Sequence, residues 1–449
     1  MPDRDRIGSG PGRRRTDRDT GPAGGHNGPL AAPLAAPLGA RAPVPVRERL
    51  DALPIRRDPA SGAPLSPYPL GPSNPGPTDG FAPDVTALGL VSDELVPIRD
   101  KVLAGERLSF ADGQLLFATD DLNGLGAIAN FCTETRNGNR ATFTYNRHLN
   151  YTNVCEYRCM FCAFRRDGDE ADAVVMTPEF VRSKLLAEFT DTMKEVHVVG
   201  GIHPELPYSY YLELLRTIKA TRPNLHIKGF TMIELNQIAE RAGKPLEEVL
   251  VELKAAGLDS CPGGGAEVLS RRVHRKLYNG KLPPEEWLSA VRKVHAAGLK
   301  TNATMLFGHI ETTDERLDHM LQIRELQDDT GGFMQFIPLV FHPDNTPLQR
   351  LGKTTGLDSL RTLAVARLML DNLPHIKAYW IMLGLKIAQV ALHYGADDID
   401  GTVVEEHITH DAGATTPQGL TAEQMAALIR ETGRVPMLRD TLYEDVVAA

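Results

Sequence analysis

Three cysteines lie close together in the chain, at Cys155, Cys159 and Cys162 within the run C-E-Y-R-C-M-F-C. Thiolates are soft ligands that favour zinc or an iron–sulfur cluster. Structural zinc normally takes four ligands in two C-x-x-C halves, but the remaining cysteines, Cys132 and Cys261, are far away in the sequence. On a four-iron cluster, three thiolates leave one iron without a protein ligand. An open metal position indicates catalysis, as it does in catalytic zinc sites.

Other interpretations of the cysteine run stay open at this point. His148 could complete a structural zinc site, or the three thiols could be incidental in a reducing cytosol. A simple electron carrier fits less well, because ferredoxins use four cysteines per cluster. Cys132 and Cys261 are most simply small buried residues.

Two glycine-rich runs could approach a ligand closely. Gly200 and Gly201 lie in V-V-G-G-I-H-P, where the missing Cβ atoms would let the backbone contact a cofactor. Gly263 and Gly264 lie in P-G-G-G-A-E, whose successive N–H groups could cradle an anionic group of a substrate. Both patterns also occur in turns and flexible loops, so the pattern alone does not separate a ligand site from a turn.

Single polar residues in otherwise apolar runs are further candidates. Asn302, His309 and His342 interrupt or follow predicted strands, so they either satisfy one another in the core or face a site. The two histidines would stand at the C-terminal ends of strands, where barrel enzymes carry their active sites, and we predict a catalytic role for both. Glu234 could bond a ribose hydroxyl, but T-x-x-E starting at Thr231 is also a helix capping box.

The elements that must position these residues follow an alternating pattern. Beyond about residue 141, short β-branched runs alternate with amphipathic stretches, which is typical of repeated βα units. We expect strands at 141–145 (running on toward 154), 195–199, 225–230, 258–261, 300–307, 334–341, 376–383 and 400–404. We expect helices at 177–189, 208–220, 246–256, 285–297, 314–328, 357–370 and 385–394. The count favours a closed (βα)8 barrel, although an open doubly wound sheet would show the same alternation.

The sequence divides into four segments. Residues 1–83 are rich in Pro, Gly, Ala and Arg without periodicity, and we predict a disordered tail. We expect a helical N-terminal cap over 84–140, the α/β barrel over 141–420 and a C-terminal helix over 421–449.

Composition excludes several classes of protein. The 449 residues are 42% hydrophobic and 24% charged, which fits a globular core. The net charge of −9 gives no field that would attract nucleic acid or an anionic membrane. The apolar runs are far shorter than the roughly 18 residues that span a bilayer. The first 30 residues contain no apolar signal region, so we expect a cytoplasmic protein.

The cysteine run resembles the signature of the radical S-adenosylmethionine (SAM) enzymes, C-x3-C-x2-C with an aromatic residue, here Phe161, before the last cysteine. In that superfamily the signature follows the first strand of a full or partial (βα) barrel, and this sequence places it there. The resemblance implies a 4Fe–4S cluster on the three cysteines, SAM bound to the open iron, and a SAM-binding role for the Gly-Gly pair. Our candidate cofactor-binding residues are Phe161, Gly200, Gly201, Glu234 and Asn302.

From about residue 140 onward the sequence resembles the menaquinone and deazaflavin branch of these enzymes. The stretches that carry the resemblance are Y-T-N-V-C-E-Y-R-C-M-F-C-A-F, E-V-H-V-V-G-G-I-H-P-E-L-P, L-D-S-C-P-G-G-G-A-E, N-A-T-M-L-F-G-H-I-E-T and G-G-F-M-Q-F-I-P-L-V-F-H-P-D-N-T-P-L. Within the branch, H-I-K-G-F-T-M-I-E and V-F-H-P-D-N look most like the aminofutalosine synthases of the futalosine route. The sister cyclases typically show Ser-Pro-Pro at residues 231–233 and Gln at His342. The Pro-rich N-terminus and Cys261 depart from the family pattern.

The resemblance implies a reaction in which the 5′-deoxyadenosyl radical adds to the enol ether of 3-(1-carboxyvinyloxy)benzoate. The adduct loses a carboxylate as CO2 or bicarbonate, 6-amino-6-deoxyfutalosine forms, and SAM is consumed. Two substrate carboxylates call for cations or N–H donors, for which Lys228, Arg271 and Arg272 are candidates. A flavodoxin or ferredoxin-type protein would supply the electron. The alternatives are a cyclic dehypoxanthine futalosine synthase, a deazaflavin synthase-type enzyme, and a non-enzymatic iron–sulfur carrier.

Overall fold

Eight parallel strands enclose a central interior in the computed structural model, which describes Leu53 and residues 81–278 and 280–449. Seven strands pair in chain order, each with the next. The eighth completes the ring through two single bridges, Lys377 with Asp398 and Arg147 with Val404. The strands are β1 Arg140–Thr144, β2 Asn146–Leu149, β3 Glu195–Val198, β4 His226–Gly229, β5 Ser260–Cys261, β6 Lys300–Phe307, β7 Phe333–Val340, β8 His375–Ile376, β9 Asp398–Gly401, β10 Val435–Arg439 and β11 Val446–Ala448.

A small second sheet lies beside the ring, which runs from β2 to β9. β1 leads directly into β2, pairs with β9 on one edge and with β10 on the other, and β11 pairs antiparallel with β10. The first expected strand is therefore two strands that separate at Tyr145. The segment 421–449 is not one helix, because its helix ends at Glu431 and β10 and β11 follow. The β-branched and apolar residues of β10 cover an edge of β1 that would otherwise expose unpaired backbone groups.

Helices follow most barrel strands and cover the outside of the ring, as expected for βα units. Two single 3-10 turns lie at Thr86–Leu90 and Gln349–Leu351. The α-helices are α1 Val96–Ala104, α2 Phe110–Ala118, α3 Leu122–Asn137, α4 Pro178–Glu188, α5 Tyr208–Thr221, α6 Met232–Ala242, α7 Leu246–Ala256, α8 Arg271–Leu277, α9 Pro284–Ala296, α10 Thr313–Thr330, α11 Gly356–Met369, α12 Trp380–Leu383, α13 Leu385–Ala391, α14 Ile408–Asp411 and α15 Ala422–Glu431.

Further elements also differ from the sequence-based expectation. The strand predicted at 376–383 is observed only as the short β8, after which the chain turns into α12. The indole of Trp380 in α12 is buried and donates a hydrogen bond to the Gly401 carbonyl at 2.8 Å. This hydrogen bond holds the segment after β8 against the end of β9, where backbone pairing between two longer strands was expected. Helices α6 and α8 were not predicted, although the capping box of Thr231 and Glu234 begins α6 as its pattern indicated.

The N-terminal helices pack onto the barrel, with α3 against α11. Among the described residues, no helix combines the length and apolar character needed to cross a membrane. Residues 1–80 apart from Leu53, which make up nearly all of the tail expected to be disordered, lie outside the described residues.

Candidate active site

The cysteine loop follows β2 and is fixed to its surroundings by backbone hydrogen bonds. The Cys155 N–H donates to the Arg166 carbonyl at 3.2 Å, and the Met160 N–H donates to the Leu277 carbonyl at 2.8 Å. The second bond ties the loop to the end of α8. Burial raises the pKa of Cys159 to about 12 and that of Cys162 to about 11. Without a bound metal these thiols would therefore stay protonated near neutral pH.

The donor set fits an iron–sulfur cluster by its chemistry. Three half-buried thiols stand on one loop at the C-terminal end of the first ring strand. A bound metal deprotonates the thiols that coordinate it, which overcomes the raised pKa values of this buried loop. Among the described residues, no three histidine, cysteine or carboxylate side chains are already grouped around a single metal position. The fit thus rests on the ligand type and on the loop that carries it.

Gly200 and Gly201 pack directly against the strand that leads into the cysteine loop. A Cβ atom on Gly201 would lie 2.3 Å from the Val154 carbonyl oxygen, and one on Gly200 would lie 2.8 Å from the ring of Tyr151. The Gly201 N–H donates to the Thr152 carbonyl at 2.8 Å. Glycine is required here for this close approach, and the pair's SAM-binding role stays a prediction.

Glu234 binds groups of the protein through both carboxylate oxygens. Oε2 accepts from the Thr231 N–H at 2.7 Å, which completes the capping box, while Oε1 accepts from the Tyr151 hydroxyl at 2.8 Å and the Gly200 N–H at 3.0 Å. Burial raises its pKa to about 6, against these hydrogen bonds, which lower it. Glu234 therefore ties the start of α6 to the Gly-Gly turn, and it does not line the cavity described below. Its ribose-binding role stays a prediction.

A cavity of about 280 Å³ opens at the C-terminal ends of the strands, beside the cysteine loop. Cys162 and Phe161 form part of its wall, so the candidate cluster loop and the cavity are one continuous site. The polar and charged residues of the wall come from nearly every ring strand: His148, His197, Lys228, Thr231, Glu267, Asn302, Thr304, His342, Lys377, Asp400, Glu406 and Thr409.

Two buried lysines, Lys228 and Lys377, line this cavity, and each is paired with a carboxylate. Lys228 Nζ lies 2.7 Å from the carboxylate of Glu195, and Lys377 Nζ forms an ion pair with Asp400. Burial lowers the pKa of Lys228, whereas for Glu195 burial is outweighed by the Lys228 ammonium, which holds the pKa of Glu195 well below its usual value.

Sequence reasoning selected Lys228 but missed Lys377, although the chain carried a signal for it. The tripeptide H-I-K occurs at β4 and again where β8 ends, and in both copies the lysine reaches the cavity. Tyr379, Asp400 and Glu406 were also missed. Tyr379 follows β8, Asp400 lies in β9 and Glu406 follows β9, and both strands are short and weakly marked in the sequence.

Three histidines line the cavity. The rings of His148 and His197 stack with centroids 4.6 Å apart, and burial lowers the pKa of both, so they are neutral near pH 7. His342 Nε2 lies 2.9 Å from the Met382 carbonyl oxygen, to which it donates. The buried Nδ1 atoms of His148 and His342 have no hydrogen-bond partner in the described chain. Each is free to bond a ligand.

Asn302 also reaches the cavity, but several other predicted residues do not. The Asn302 side-chain oxygen accepts from Gln335 at 2.9 Å. His309 is buried, with its ring between the Leu306 carbonyl and the Glu311 carboxylate, and it does not line the cavity. Its position after β6 suggested a rim residue, but Glu311 holds the ring inward.

Arg271 and part of the glycine loop also depart from the expected arrangement. Arg271 is 75% exposed on α8 and pairs with Glu285 at 2.8 Å, so the structure does not bring it to the cavity. Arg272 likewise pairs with Glu315. Gly264 lines the cavity, whereas Gly263, with φ of 71°, is pressed against β6, where a Cβ atom would meet the Asn302 carbonyl.

Comparison with known proteins agrees with this geometry. The model of the radical SAM superfamily matches residues 149–323, and that of the CofH/MqnC C-terminal region matches 330–448. The solved structure of methylornithine synthase (PylB) superposes with a TM-score of 0.60 over 76% of this chain and 97% of its own, at 18% identity. That likeness shows the fold alone.

Curated relatives narrow the assignment. The aminodeoxyfutalosine synthase of Thermus thermophilus is 47% identical over 80% of this chain and 97% of its own length. A 5-amino-6-(D-ribitylamino)uracil–L-tyrosine 4-hydroxyphenyl transferase of Methanopyrus kandleri is 45% identical over 69% and 85%, and a cyclic dehypoxanthine futalosine synthase of Halalkalibacterium halodurans is 36% identical over 77% and 94%. The chain therefore belongs to the radical SAM enzymes, which use a 4Fe–4S cluster and SAM, and within them to the family that includes the aminodeoxyfutalosine synthases.

Proposed function

We propose that this protein joins the adenosyl group of SAM to 3-(1-carboxyvinyloxy)benzoate, giving 6-amino-6-deoxyfutalosine for menaquinone biosynthesis. The observation that carries the proposal is the similarity to the Thermus aminodeoxyfutalosine synthase over nearly all of that enzyme's length. Two local features support it: the sequence T-M-I at residues 231–233 and His342 in the cavity wall. Both differ from the pattern typical of the sister cyclases.

The residues that would hold the cofactors lie on the loops that follow β2 and β3. Cys155, Cys159 and Cys162 would hold the cluster, and the Gly-Gly turn would place backbone groups beside SAM. When bound, the cluster and SAM supply a 5′-deoxyadenosyl radical by one-electron cleavage of the C5′–S bond. The protein's task is then to hold the vinyl carbon of the substrate close to C5′ and to keep water away.

The cavity wall from β4 onward offers groups that suit a substrate with two carboxylates. Lys228 and Lys377 each have three N–H donors, of which their buried carboxylate partners use only part. Asn302 and Thr304 add neutral donors, and His342 in the same wall has a ring nitrogen without a hydrogen-bond partner in the described chain. Because each lysine is already paired with a carboxylate, the site would not bind anions in general. Recognition of the substrate carboxylates would depend on where the hydrogen-bond donors lie.

The electron must come from outside the chain. We expect a flavodoxin or ferredoxin-type donor, since the described chain offers one cluster motif and no second redox centre is suggested by its cysteines. The free thiols favour the cytoplasm, where thiols stay reduced.

The test offers each candidate substrate, with SAM, to anaerobically reconstituted and reduced enzyme. We expect 6-amino-6-deoxyfutalosine from 3-(1-carboxyvinyloxy)benzoate and SAM, identified by mass spectrometry, with one SAM consumed per product. A cyclic product from dehypoxanthine futalosine, with the benzoate untouched, would instead establish the sister cyclase. A product from tyrosine and 5-amino-6-(D-ribitylamino)uracil would establish the hydroxyphenyl transferase. Cluster loading without any SAM cleavage would leave only the electron-carrier interpretation.

A further inference from the structure

A buried lysine–glutamate pair lies against the cysteine loop and has no part in the scheme above. Lys281 Nζ is 2.7 Å from Glu267 Oε1, and the two side chains are only 12% and 13% exposed. The ammonium stands over the ring of Phe161 at 5.4 Å and over that of Tyr278 at 5.7 Å from the ring centres. Phe161 is the residue immediately before Cys162, so the cation lies beside the ligand loop.

The backbone around Lys281 holds it in this place. The end of α8 binds the cysteine loop through the Met160 N–H and the Leu277 carbonyl at 2.8 Å. Four residues later, the Lys281 N–H donates to the Tyr278 carbonyl at 3.1 Å, and its own carbonyl lies 3.0 Å from His274 Nε2. The lysine and the ligand loop therefore belong to one connected unit.

Both members of the pair lie close to the ligand loop. The Lys281 ammonium stands over Phe161, directly before Cys162, and Glu267 forms part of the cavity wall that Cys162 also lines. Burial would lower the pKa of Lys281, but the Glu267 carboxylate holds it above its usual value, so the ammonium stays charged.

Reduction adds one negative charge to a cluster that already carries thiolate ligands. The potential of an iron–sulfur cluster depends on nearby charge, hydrogen bonding and exposure. A buried cation beside the ligands stabilises the reduced form, and a buried anion destabilises it. We propose that Lys281 raises the reduction potential of the cluster carried by Cys155, Cys159 and Cys162, and that Glu267 limits this effect.

The test compares midpoint potentials of reconstituted protein without SAM or substrate, by redox titration monitored by electron paramagnetic resonance. Lys281→Gln should make the potential more negative, so that the ratio of reduced to oxidised cluster at the wild-type midpoint falls about tenfold, equal to about 59 mV for a one-electron couple. Glu267→Gln should shift it in the opposite direction. Lys276→Gln is the control: it removes an equal charge from the exposed face of α8, where water and salt screen it, and it should change the potential little.

Opposite shifts separate an electrostatic role from a structural one. The double variant Lys281→Gln/Glu267→Gln should have a potential between those of the two single variants. If Lys281→Gln does not load iron, Glu267→Gln alone decides, because it must still raise the potential. Shifts of the same sign, no shift, or a shift that appears only when SAM is added would each overturn the proposal. None of these outcomes depends on the substrate proposed above, because no substrate is present.

Discussion

The first and second halves of the barrel carry their candidate ligand groups in different ways. Around β2 and β3, the groups assigned to the cofactors form contiguous runs: the three cysteines on one loop and the Gly-Gly turn packed against it. From β6 to β9, single residues such as His342, Lys377 and Asp400 reach the cavity from separate strands. A cofactor common to many enzymes can be held by one fixed motif, whereas recognition of one substrate depends on scattered side chains.

The strongest test of this division is removal of the cluster ligands. Replacing Cys155, Cys159 or Cys162 by Ala should abolish turnover and reduce bound iron and the visible iron–sulfur absorption, because each thiolate supplies one of three ligands. Iron and sulfide analysis after anaerobic reconstitution measures the loss. Full activity in any one variant would refute the assignment of that ligand.

The contrast also explains how far the sequence could predict the structure. The cysteine run and its place after the first strand were predictable, because spacing along one loop fixes the geometry. Lys377 was not, because β8 has two residues and the chain leaves it for a short helix anchored by Trp380. Arg271 and His309 were expected at the cavity but do not line it. Arg271 instead pairs with Glu285, and His309 contacts Glu311. Such partners decide the direction of a side chain, and they cannot be predicted from the periodicity of the sequence.

The buried pair of Glu195 and Lys228, on the neighbouring strands β3 and β4, should contribute strongly to stability. Glu195→Gln would leave the Lys228 ammonium buried without its counter-charge, and we expect a loss of roughly 3–5 kcal/mol in the free energy of unfolding. Denaturant unfolding of the wild type and the variant measures it. As a control, Glu285→Gln removes the exposed partner of Arg271 and should cost less than about 1 kcal/mol. Equal losses in both variants would contradict the role of burial.

His342 should separate cofactor binding from turnover. His342→Ala should lower product formation by roughly tenfold to a hundredfold, while iron content and SAM binding stay near wild type, because only the second half of the barrel is altered. His309→Ala is the matched comparison: it breaks the buried contact with Glu311 and should lower the melting temperature instead. If His309→Ala specifically stops turnover in a stable protein, the rim position predicted from the sequence is correct after all.

The two remaining cysteines should be dispensable for the cluster. Cys132 and Cys261 are buried in the hydrophobic core, and neither lines the cavity beside the cysteine loop. Changing either to Ser buries a hydroxyl, at a cost of about 1–3 kcal/mol, with iron content unchanged. Loss of iron in either variant would mean a fourth ligand and a closed cluster.

The smallest effect concerns the segment that covers the cavity after β9. His410 Nδ1 lies 3.1 Å from Glu406, whose side chain forms part of the cavity wall, and this bond raises the pKa of His410 to about 9. A raised histidine pKa stabilises the folded protein fully below the unfolded value of 6.5, and this contribution disappears as pH rises through about 9. The difference in melting temperature between wild type and His410→Gln should therefore be greatest at pH 6 and vanish by about pH 10. A difference that does not change across this range would show that His410 acts by packing and not by charge.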